Sequence, residues 1–122
     1  MENATNDQSG NKEALYNLDK LKKMGDDEFV SEMLEIFIEE FPAHVAEFKK
    51  LLANEDFEKI GKLAHKITPT TGYLGIASIK QDISNLEHFA ENNIPKETLP
   101  SLVTKVVEVL SEAIDQINKN EF

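Results

Sequence analysis

The chain has 122 residues, of which 30% are charged and 40% hydrophobic, with no cysteine, no tryptophan and a formal net charge of −10. That length suits one domain. The acidity argues against nucleic acid and anionic membranes as partners, and the missing cysteines exclude disulfides and thiolate metal sites and fit a reducing cytoplasm. No apolar run is long enough to cross a bilayer, and the polar stretch Met1 to Gly10 does not read as a signal peptide.

Residues 1–14 are polar and without period, and are expected to form a mobile tail ahead of one folded domain over residues 15–120. Leu15, Leu18 and Leu21 support a short helix that stops at Gly25. Asp26 or Asp27 then offers an N-cap. From Phe29 through Val30, Met33, Phe37, Phe41, Val45 and Phe48 to Leu52, apolar residues keep helical spacing. Pro42 lies inside this run and predicts a kink or a break into two helices near Glu39 to Phe41. Asn54 to Asp56 reads as a turn that caps the following helix. That helix is expected to end between Gly72 and Gly75.

Ile76, Ile79, Ile83, Leu86 and Ala90 mark a further helix up to about Asn92. The turn Asn92-Asn93-Ile94-Pro95 follows, with Pro95 suited to open a helix. Leu99, Leu102, Val106, Leu110, Ala113 and Ile117 carry the last one. No segment alternates in the manner of a strand. The fold class is therefore all-α: an antiparallel four-helix bundle with a short extra N-terminal helix, expected as a monomer.

Within the segment from Asp56 to Gly75, His65 is out of place for a packing residue. At about 100° per residue, Ile60, Leu63, Ala64, Ile67, Thr71 and Leu74 share one face, and His65 lies roughly 165° from its middle. Gly61, Thr68, Pro69 and Gly72 share its outer face, while Lys62 and Lys66 border it. An exposed imidazole can act as acid, base, metal ligand or phosphoryl acceptor. A metal site needs a second ligand one turn away. His65 has Thr68 and Pro69 on one side and Gly61 and Lys62 on the other, so no metal is expected. A catalytic triad needs an orienting carboxylate and a nucleophile around a cleft, and a convex exposed helix offers no cleft. Phosphoryl acceptance needs less: an accessible nitrogen, little steric bulk and nearby cations. Gly61 and Gly72 leave room for another surface to approach, and Lys62 and Lys66 supply positive charge on an acidic chain. His44, His88 and the phenylalanine stripe read as structural or solvated.

The run Ala64-His65-Lys66-Ile67-Thr68-Pro69-Thr70-Thr71-Gly72-Tyr73-Leu74-Gly75 resembles the phosphoacceptor helix of histidine-containing phosphotransfer (HPt) domains. His65, Ile67, Gly72 and Gly75 match the family pattern, and the likeness extends over roughly Leu18 to Ile117. It departs at Thr68, where the family usually has lysine, and at Pro69, where it usually has glycine. The resemblance implies a cytoplasmic carrier that accepts a phosphoryl group on His65 from a receiver-domain aspartate and passes it to another receiver. The partners it implies are receiver domains of response regulators or hybrid histidine kinases. No cofactor is implied, because the Mg²⁺ and carboxylates that drive the chemistry belong to the receiver, so the chain is not expected to be an enzyme by itself. Docking is expected on Gly61, Lys62, Lys66, Thr68, Pro69 and Gly72, with part of Leu34, Ile38 or Phe41 exposed beside them. The alternative is a bundle that binds a partner protein without phosphotransfer.

Overall fold

The computed structural model describes residues 13–119, so the expected tail lies outside the described residues except for Glu13 and Ala14. Five α-helices follow in order: α1 over Asp19–Met24, α2 over Asp27–Ala53, α3 over Phe57–Tyr73, α4 over Lys80–Glu87 and α5 over Leu99–Lys119. Short 3₁₀ turns at Ala77–Ile79 and Lys96–Thr98 lead into α4 and α5. No strand occurs among the described residues.

The local causes are those of ordinary helix starts. The Asp26 carboxylate accepts the Phe29 N–H at 2.9 Å, and Asp56 accepts that of Lys59 at 3.2 Å, so each satisfies an orphan donor of its helix. Acidic Asp27, Glu28 and Glu58 in the first turns complement the positive helix ends. The apolar stripes then find one another. α2 packs on α3 and on α5, α3 on α4, and α4 on α5, so four helices close a ring about a shared core. Phe37, Phe48, Ile60, Ile67, Ile79, Leu86, Val103, Val106 and Leu110 are fully or almost fully buried there. α1 packs against α2 outside the ring, as the extra helix.

Four elements differ from the sequence expectation. α2 runs unbroken through Pro42. A proline in a helix interior removes one backbone bond and costs about 3 kcal/mol. Buried Phe37 and Phe41 before it, and Val45 and Phe48 after it, hold both halves on one core. α4 ends at Glu87, well before Asn92. His88 leaves helical angles, Asn93 takes a positive φ of 56°, and Ala90, read as part of the apolar stripe, is exposed. The N-terminal helix begins only at Asp19. The chain before it lies across the end of the bundle instead: Asn17 N–H donates to Leu74 at 2.8 Å, and Leu15 N–H to the Gln116 side chain at 2.9 Å. Pro95 likewise opens a 3₁₀ turn and not α5 itself.

The glycines separate by role. Gly25 is extended at φ −164°, so it does not stop α1 through a left-handed turn. A Cβ there would lie 2.6 Å from the Phe29 ring, so the position is kept bare by packing. Gly75 does take the left-handed conformation, at φ 61°, and its would-be Cβ falls 2.6 Å from the Asn17 carbonyl oxygen. Gly72 is helical, and a Cβ on it would meet nothing within 4 Å. Gly75→Ala is therefore expected to destabilise the fold by about 1–2 kcal/mol. Gly72→Ala is expected to stabilise it by up to about 1 kcal/mol. Urea denaturation midpoints of the two variants should move in opposite directions.

Candidate functional site

The site begins with a close approach between two helices. Gly61 is buried, and a Cβ on it would come within 3.1 Å of the Leu86 carbonyl oxygen and 3.8 Å of the Glu87 Cα. This glycine differs from its expected place on an open face: the C-terminal end of α4 covers it. The missing side chain lets the last turn of α4 press onto α3. One turn further along α3, that approach brings the Glu87 carboxylate to His65.

His65 keeps 77% of its side-chain surface exposed, while Glu87 keeps 17%. Oε2 of Glu87 is hydrogen-bonded to Nδ1 of His65. A carboxylate accepts and cannot donate when ionised, so this bond fixes the proton on Nδ1 and leaves the lone pair on Nε2. The half-buried carboxylate also raises the electron density of the ring it holds, as outer carboxylates do for metal-bound histidines. An exposed imidazole with one nitrogen anchored and the other free is a positioned nucleophile.

The remaining expected site residues lie around it in two directions. Lys62 shares a depression of about 470 Å³ with Glu58, Gly61, His65, Glu87, His88 and Phe89. Lys62 and Lys66 also flank a second depression toward α2, with Lys59, His44 and Glu47. On the other side of Glu87, Thr68 and Gly72 border a groove of about 480 Å³ together with Lys20, Lys80 and Ser84. Lys62, Lys66, Thr68, Pro69 and Gly72 are all exposed. The Thr68 hydroxyl is committed within the helix, donating to the Ala64 carbonyl at 2.8 Å. Pro69 has no N–H to offer the His65 carbonyl. On α2, Leu34 and Phe41 are buried and offer no surface; Ile38 is half-buried, and Ile36, whose spacing also fits the apolar stripe, is 45% exposed.

Sequence reasoning alone does not single out Glu87, Lys20 or Lys80. Glu87 lies 22 positions from His65 and on another helix, so no spacing rule along one helix reaches it. His44 packs edge-on against Phe41, with centroids 4.9 Å apart. Burial, and then the nearby Lys66 charge, hold its pKa below the ordinary 6.5, against an opposing pull from Glu40. Among the described residues, no group of three or more His, Asp or Glu side chains is arranged to hold a metal, and no helix is long and apolar enough to cross a membrane.

Two tests follow from this geometry. Imidazole ¹⁵N shifts should show His65 as the Nδ1-protonated tautomer, and Glu87→Ala should return the ring to a tautomer mixture. His44 favours its neutral form in the fold, so its contribution to stability is complete above about pH 6.5 and is lost as pH falls through its lowered folded value. His44→Gln should flatten the decline of stability on acidification below about pH 6.5, read by denaturation at a series of pH values.

Set beside known proteins, residues 32–120 match the family model described as Hpt domain. No curated protein and no solved structure matches the chain.

Proposed function

Because the chain belongs to the Hpt domain family, whose members carry phosphoryl groups in two-component signalling, we propose that it is a phosphorelay intermediate with His65 as its phosphoacceptor. The observation that carries this reading is the exposed His65 ring, held at Nδ1 by Glu87 with Nε2 free. In the transfer, the Nε2 lone pair attacks the phosphorus of a receiver's aspartyl phosphate. An N–P bond forms as the acyl P–O bond breaks, and the aspartate carboxylate leaves with the bonding pair. The Nδ1 proton stays on the ring, and the positive charge of the phosphoimidazolium faces Glu87, which stabilises it. Transfer onward reverses these steps: a second aspartate attacks phosphorus, and the electron pair returns to Nε2.

The receiver is taken to dock on the exposed face formed by Lys62, Lys66, Thr68, Pro69 and Gly72. Buried Gly61 serves that face indirectly, by admitting α4. The Thr68 hydroxyl is held by Ala64, and the cations available around His65 are lysines, with Lys62 sharing its depression and Lys80 bordering the groove beyond Glu87. In this reading the chain acts as a monomer in the cytoplasm and works as a carrier, with catalytic groups supplied by its partners.

Incubation with a phosphorylated receiver should place an acid-labile, alkali-stable label on the chain. His65→Gln should lose essentially all of it. Label that persists in that variant overturns the assignment. A wild-type chain that binds the receiver and takes no label is instead an adaptor.

A further inference from the structure

Glu87 does not serve His65 alone. The same Oε2 atom lies 3.5 Å from Nε2 of His88, whose Nδ1 lies 3.6 Å from Oε2 of Glu91. The four side chains form a row in which two imidazoles flank one half-buried carboxylate. We propose that His88 is a positioning residue, and that its protonation weakens the hold of Glu87 on His65 and so slows phosphoryl acceptance. This rests on the reading of His65 as the acceptor.

The argument is one of competition for a single oxygen. When His88 is neutral, Glu87 directs its charge at the Nδ1–H of His65 and enriches the ring at Nε2. When His88 takes up a proton from solvent, a full positive charge stands at 3.5 Å from Oε2. The carboxylate is then shared between two cationic or partly cationic donors, and its pull on His65 falls. The groups that face His88 are few. α3 contributes Glu58, Lys62 and His65 to the depression it borders, and its own stretch of chain contributes Glu87 and Glu91. At 45% exposure the ring is open to solvent protons, and imidazoles as a class change charge near neutrality.

The test reads His65 directly. In wild type, the ¹⁵N shifts of His65 should titrate in two steps, the second coinciding with the titration of His88 itself. His88→Gln should leave one step. Glu91 is 72% exposed, so Glu91→Gln should fold normally. It removes the carboxylate 3.6 Å from Nδ1 of His88, so the midpoint of His88 should fall relative to wild type and the second step on His65 should fall with it. With phosphoramidate as a small phosphodonor, wild type relative to His88→Gln should lose roughly two- to fivefold in acceptance rate between about pH 8 and about pH 6. Superimposable His65 titrations in wild type and both variants overturn the proposal. A wild-type chain with the two-step titration but no phosphoryl uptake overturns the phosphorelay reading, and with it the role given to His88, while the coupling between the rings stands.

Discussion

The structure depends on how closely α4 is allowed to approach α3. An ordinary pair of helices keeps its axes about 8–10 Å apart, with the spacing set by the side chains at the crossing. At Gly61 there is no side chain, and the carbonyl of Leu86 comes close enough that even a methyl group would crowd it. The penalty for a glycine inside a helix, about 1 kcal/mol relative to alanine, is thus offset by position. Glu87 ends up beside an imidazole that faces water, and a surface histidine becomes one with a defined tautomer. Packing, tautomer and nucleophile form a single causal chain.

The same arrangement bears on how so acidic a chain would carry a phosphoryl group, as proposed. A protein of net charge −10 is a poor place to put a phosphoryl dianion. Yet the nearest acidic group is turned toward Nδ1, away from the nitrogen that would carry the phosphorus. Lysines stand on both sides: Lys62 and Lys66 on α3, and Lys20 and Lys80 along the α3–α4 groove. Exposed acids also stand along α2, at Glu32, Glu35, Glu39 and Glu40, while Glu58 and Glu87 share the His65 depression with Lys62.

Much of this is legible in the sequence, and the failures have physical causes. Periodicity finds the faces of α2, α3 and α5, and residue type narrows the caps to Asp26 or Asp27 and to the turn from Asn54 to Asp56, because those signals are local. Of the kink or break that Pro42 suggests, the break does not occur, because a local rule cannot weigh buried side chains on both sides of a lost hydrogen bond. The pattern makes α4 too long because Ala90 falls in register with Ile83 and Leu86 while standing in solvent. It puts Gly61 on an open face because the angle around a helix gives a direction and says nothing of what occupies it. Glu87 stays hidden, since an acid at the end of an amphipathic helix looks like any solvated glutamate until the helices are packed. The resemblance carried by His65, Ile67, Gly72 and Gly75 identifies the family without reference to any of these contacts.

The strap ahead of α1 has a consequence for anything attached to this domain. Glu13 and Leu15 are hydrogen-bonded to Gln116 near the end of α5, and Asn17 to Leu74 at the end of α3. Both ends of the folded body therefore emerge side by side from one pole. His65 sits about 14 Å along the axis from that pole, roughly nine residues before Leu74 at about 1.5 Å each. The two ends of the described body thus share one pole, and the imidazole stands apart from both.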